Sequence, residues 1–171
     1  MFTFIGAVFI IGATTFFGLS AFWRLNLRLR VLQNIVSALG QMEYEITERL
    51  LPLPEMLELL IAESKAPLKH FFVRVEAGMR EVGLHSFSKI WNDALANSEE
   101  LLLKKEELTI LEDLGKTLGR YEVQKQKSAF HYAKERMGEQ VKIAQEEKRT
   151  QGKMHAVLGF AAGFFVVFIL M

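Results

Sequence analysis

The residues of this chain closest to a known chemical pattern are Gly115-Lys116-Thr117, the ending of the loop that cradles phosphate with backbone N–H groups and a lysine. That loop needs a glycine five positions before Gly115, where Ile110 stands, and it follows a strand, whereas the residues before Gly115 carry helical spacing. Phosphate binding is not expected from it. Among the four histidines, His131 with Glu135 at i,i+4 comes nearest to metal-ligand spacing, but it lacks the second histidine that makes such a pair specific, so it reads as a solvated helix face. Glu43, Glu45 and Glu48, and Glu106, Glu107, Glu112 and Asp113, read as solvated or ion-paired carboxylates on exposed helices. With no cysteine, disulfide frameworks, thiolate metal sites and cysteine nucleophiles are excluded. No catalytic, cofactor-binding or metal-binding residue is expected, and the chain is expected not to be an enzyme.

Two glycine spacings remain. In Leu114-Gly115-Lys116-Thr117-Leu118-Gly119-Arg120 the glycines stand four apart in a helical context. Either they let another helix approach closely, or Gly119 ends its own helix. The same spacing recurs at Gly159 and Gly163 in an uncharged run, where small residues let helices pair; the matching surface would be Gly12 and Gly18, with Gly6 and Thr14 beside them.

The elements that must position these residues are set by two apolar runs. Residues 1–23 carry no charged side chain, and at about 1.5 Å of rise per residue they can cross roughly 30 Å of hydrocarbon as a helix. The second run, Ala156 to Met171, is shorter, and Met154 and His155 extend it. A cleaved signal would need basic residues before the apolar run, and here Arg24, Arg28 and Arg30 follow it. Lys148, Arg149 and Lys153 precede the second run. Basic flanks stay cytoplasmic, so the expected topology is a first span at 1–23 starting outside, a cytoplasmic domain at 24–153, and a second span at 154–171 ending outside. All 21 basic and 20 acidic residues lie between the runs. That near-balance creates no field to draw nucleic acid, which is not expected as a partner.

Between the spans the spacing is helical throughout. Leu25, Leu29, Leu32, Val36, Leu39, Met42 and Ile46 form one stripe on a helix predicted to run from the membrane to about residue 48, with Gly40 a tolerated weak point. Pro52 and Pro54 forbid its continuation; Pro54 opens a short second helix ending near Ser64, and Pro67 opens a third that stops at Gly83. Ser86 caps a fourth helix with Ile90, Trp91 and Leu95 inward, and Asn97-Ser98-Glu99-Glu100 starts a fifth segment through Leu118, with a break around Lys104-Lys105. A last long pattern through Val123, Phe130, Ala133, Met137, Val141 and Ala144 runs toward Gly152 and on into the second run. The expected fold is all-α: a membrane-anchored helical bundle in which two long helices continue into the spans and bracket three or four short ones.

Laid out this way, the chain resembles the stage III sporulation protein AB family, itself related to the inner-membrane platform proteins of type II secretion. The resemblance rests on Gly6 to Thr15 (GAVFI-x-x-ATT), on Pro52 to Glu55 after an acidic helix end, on Trp91, on Leu114-Gly-x-x-Leu-Gly-Arg with Gln126 after it, and on the apolar tail ending at Met171. It implies a non-catalytic scaffold in the mother-cell membrane facing the forespore, part of a secretion-like channel, with a cytoplasmic domain that docks a secretion-type ATPase. Other membrane proteins of the same complex would be further partners, and self-association stays open. Gly115, Gly119, Arg120 and Glu122 are the docking candidates; the family often carries Asp where Glu122 keeps the charge on a longer side chain. The competing reading is a membrane sensor relaying a change through its long helices, which the scarcity of residues outside the membrane disfavours. A small membrane enzyme would need more polar groups than Thr3, Thr14, Thr15 and Ser20 offer.

Overall fold

Proline and two left-handed residues divide the chain into helices. The computed structural model describes the backbone of residues 2–80, 86–118 and 123–170, and the side chains of residues 20, 22–80, 86–118 and 123–150. Over these residues it contains six α-helices, one 3-10 turn and no strand: α1 (Phe2–Thr47), α2 (Leu53–Glu63), α3 (Leu68–Met79), α4 (Phe87–Ala96), the 3-10 turn Glu99–Leu101, α5 (Lys105–Thr117) and α6 (Val123–Leu170). Among the described residues no helix is long and apolar enough to cross a membrane. Most of the residues of the two expected spans have no described side chain, so both spans fall largely outside what the structure describes.

Where prolines punctuate, the expected boundaries hold to within a residue. α2 starts at Leu53, one position before Pro54, with Pro52 as its cap; Pro54 lacks an N–H in the first turn, where that donor would have no partner anyway. Pro67 likewise sits just ahead of α3. The Ser86 hydroxyl accepts from the Lys89 N–H at 3.4 Å and caps α4 as expected. The expected stop at Gly83 lies outside the described residues.

The fifth segment breaks at Lys104-Lys105, as expected. Ahead of the break, Glu99–Leu101 make one 3-10 turn rather than a helix, which Leu102 closes at a φ of 54° before α5 begins at Lys105. The Ser98 hydroxyl donates back to the Ala94 carbonyl at 2.7 Å, so it prolongs the end of α4 rather than capping a new helix.

The chain divides into two compact units, residues 30–141 and residues 1–29 with 142–171. In the first, the apolar stripe of α1 supplies Leu32, Ile35, Leu39 and Met42 to a core completed by Phe71, Phe72 and Val75 of α3, Trp91 of α4, Leu111 and Leu114 of α5, and Phe130 and Met137 of α6. Among Ile35, Leu39, Phe71, Phe72 and Trp91 lies an apolar gap of about 10 Å³, at the lower limit for one water, in keeping with close packing. Lys134 of α6 reaches Glu43 of α1 at 2.6 Å and Lys127 reaches Glu48, just past the end of α1, at 2.7 Å, so the two helices run antiparallel here. In the second unit, Arg28 of α1 bonds Glu147 of α6 at 3.0 Å.

Candidate docking surface

The first docking candidate, Gly115, lies near the end of α5 and is buried. A Cβ built on it would fall into the Trp91 indole, 2.8 Å from Cγ and 2.9 Å from Nε1. The close approach that a missing side chain permits is therefore taken by a tryptophan of the same chain. Trp91 Nε1–H donates to the Leu111 carbonyl at 2.8 Å, one turn before Gly115, and its ring meets Phe71 edge-on with centroids 4.9 Å apart. This bond satisfies the single indole donor, which unpaired at this depth would cost about 1–3 kcal/mol.

Gly119, Arg120 and Glu122 lie outside the described residues. On the α5 side of them, Lys116 is exposed with its ammonium 2.7 Å from Asp113, whose carboxylate holds it above the usual lysine range, and the Thr117 hydroxyl donates to the Asp113 carbonyl. Both residues of the phosphate-loop ending are thus engaged one turn back along a helix. Leu118 is buried.

The same end of this unit holds a feature that helical spacing did not reveal. Leu50, 65% exposed, closes α1 at a φ of 54°, with Arg49 N–H donating to the Tyr44 carbonyl at 3.2 Å and Leu51 N–H to the Glu45 carbonyl at 2.8 Å. A glycine is the usual residue for such a helix end, and leucine there costs about 1–2 kcal/mol. The signal was present in the sequence: Pro52 holds Leu51 extended and no glycine stands between Thr47 and Pro52, so a residue with a side chain has to make the reversal. Tyr44 and Val123 are also exposed, and the Lys127 ammonium bonded to Glu48 holds that carboxyl below the usual range. This end therefore presents apolar side chains among paired charges.

Two carboxylates expected to be solvated or ion-paired on exposed helices are buried. Glu107 has no exposed surface, and its Oε2 accepts the Lys104 N–H at 2.6 Å, capping α5. It falls on the stripe of Leu111, Leu114 and Leu118, so its inward position follows from spacing once the helix start is known. Glu45 is buried beside Arg49 at 3.0 Å. His131 and Glu135 are both exposed, and among the described residues no three His, Asp or Glu side chains converge as metal ligands would.

Arg74 of α3 ties down the 3-10 turn, donating to the Ser98 hydroxyl at 2.9 Å and to Glu100 at 2.6 Å. Burial alone would raise the Glu100 carboxyl, but the Arg74 guanidinium overrides it and the group is held below the usual value of 4.5. A carboxyl depressed in the folded state adds stability above its unfolded pKa, and that contribution is lost as pH falls through the lower folded value. Glu48 and Glu146 are shifted the same way by Lys127 and Arg149. The unfolding midpoint, followed by circular dichroism in a pH series, should therefore fall below about pH 4.5, and Arg74→Met should lower the midpoint at pH 7 while flattening that acid fall.

Of the residues expected to set topology, Arg24, Arg30 and Arg149 are exposed and Lys148 is half-buried, whereas Arg28 is only 7% exposed, against Glu147. Arg149 bonds Glu146 at 2.7 Å. Lys153 has no described side chain. Gly12 and Gly18 fall in α1, and Gly159 and Gly163 in α6; the surroundings of all four lie outside the described residues.

Residues 3–171 match the family of stage III sporulation protein AB. The stage III sporulation protein AB of Bacillus subtilis (strain 168) is 27% identical over 168 residues, which is 98% of each chain. A solved structure of stage III sporulation protein AB is similar with a TM-score of 0.66 at 22% identity, covering 72% of this chain and 98% of that one, a likeness of fold.

Proposed function

This chain belongs to the stage III sporulation protein AB family, and on that premise we propose that it is a non-catalytic membrane scaffold of a sporulation channel between mother cell and forespore, docking a cytoplasmic secretion-type ATPase. One observation carries the reading: both long helices, α1 and α6, lead at their outer ends into uncharged runs, while every charged residue lies between the runs. A chain built this way holds a helical domain against a bilayer from two ends. The runs at 1–23 and 154–171 are the spans and residues 24–153 lie on the mother-cell cytoplasmic side. Pairing of Gly159 and Gly163 with Gly12 and Gly18 joins the spans.

The ATPase meets the end of the domain where α5 gives way to α6. Leu50, Tyr44 and Val123 are exposed there, and Arg120 and Glu122 add charge of both signs in the connection. Apolar centres ringed by charge are what protein interfaces use. The test is capture of the sporulation ATPase by the full-length chain in solubilised membranes. Arg120→Glu and Leu50→Asp should each cut the captured ATPase by about tenfold, the loss of one interface anchor worth roughly 1.4 kcal/mol or more. An unchanged chain that captures no ATPase overturns the docking assignment.

A further inference from the structure

Just beyond the first uncharged run, α1 exposes three large apolar side chains within two turns: Phe22 is 37% exposed, Trp23 69% and Leu27 39%. Arg24 stands among them, exposed and without an ion-pair partner among the described residues. On α6, Lys148 is likewise unpaired there. The Arg28–Glu147 bond at 3.0 Å brings these two stretches side by side.

The acidic groups nearby are already engaged, Glu147 by Arg28 and Glu146 by Arg149. Arg24, Lys142 and Lys148 therefore leave the stretch net positive. From Phe22 to Arg28 a helix advances about 9 Å, close to the roughly 5–8 Å depth of one headgroup layer. An indole at the junction of an apolar run and water, with cations beside it, fits that layer better than it fits a protein core or bulk water.

We propose that Phe22, Trp23, Arg24 and Leu27 of α1, with Lys148 of α6, form a collar that binds the headgroups of anionic phospholipids. The apolar side chains sit at the acyl boundary and the cations meet the lipid phosphates. This rests on the reading of the two uncharged runs as spans. It adds that the chain selects its lipid neighbours by charge, and that the selecting residues are those flanking the Arg28–Glu147 pair.

The test uses the full-length chain in equimolar phosphatidylcholine–phosphatidylglycerol vesicles, with bromine carried on one lipid or the other. The chain has two tryptophans and Trp91 is buried in the helical core, so the Trp23 signal is the difference from Trp23→Phe. Brominated phosphatidylglycerol should quench Trp23 with an apparent affinity about threefold or more above brominated phosphatidylcholine, given that each basic residue at an anionic surface contributes up to about fivefold. Raising salt with the unchanged chain, or substituting Arg24→Gln and Lys148→Gln together, should bring the ratio to about one. Equal quenching by the two lipids, in a chain that stays with the vesicles through alkaline extraction, overturns the collar and leaves the spans standing. A chain released by alkaline extraction overturns the span reading and the collar with it, and a preference retained by the double variant overturns the assigned residues.

Discussion

Gly115→Ala will destabilise the helical domain by about 2–4 kcal/mol, lowering Tm by roughly 10 °C, although alanine is the better helix former by about 1 kcal/mol. The sign follows from packing. The added methyl group would meet the Trp91 ring at 2.8 Å from Cγ and 2.9 Å from Nε1, and that ring is 1% exposed. It cannot retreat, because Nε1 is bonded to the Leu111 carbonyl at 2.8 Å and the ring lies 4.9 Å from Phe71 and 5.9 Å from Phe87 by centroid. Overpacking costs about 1–3 kcal/mol, and losing the indole bond leaves a buried donor at a similar cost. Gly138 of α6 is the control: a Cβ there meets nothing within 4 Å, so Gly138→Ala should stabilise by about 0.5–1 kcal/mol. Denaturant midpoints of the two variants moving in opposite directions would establish the point; a Gly115→Ala midpoint at or above that of the unchanged chain would refute it.

Reversing Arg28 is the other large effect. The Arg28 side chain is 9% exposed and Glu147 24%, at 3.0 Å, so the pair is mostly withdrawn from water. Arg28→Glu would set two carboxylates against each other there, and we expect a loss of about 2–4 kcal/mol, reduced from the cost of a fully buried pair because Glu147 keeps some solvent. Glu147→Arg combined with it should recover most of the loss, which a merely steric effect of the substitution would not allow. Thermal unfolding of the full-length chain in detergent, followed by helical circular dichroism, measures both. A single variant within about 0.5 kcal/mol of the unchanged chain would mean that the pair is solvated and contributes as little as a surface ion pair.

Much of this architecture could be read from residue order because the physics involved is local. Proline fixes φ and removes a donor wherever it stands, so Pro52, Pro54 and Pro67 mark the helix starts to within a residue. The spacing of Leu32, Leu39, Met42 and Ile46 on α1, and of Phe130, Ala133 and Met137 on α6, makes the inward faces legible before any packing is known. Ser86 caps α4 through an atom three residues away. Capping is a short-range event, as is the reversal at Leu50, whose signal lay in the missing glycine.

Pairings between distant residues were beyond that reach. Residue order by itself determined the helices, their inward stripes, the two uncharged runs with basic flanks, and the family. Only the tertiary structure decided that Gly115 makes room for Trp91 and that Arg28 spends its charge on Glu147, 119 positions away. The reason is the same in each case. Helical periodicity states which side of a helix a residue occupies, whereas what meets it there depends on the register of a second helix, set by the whole core at once.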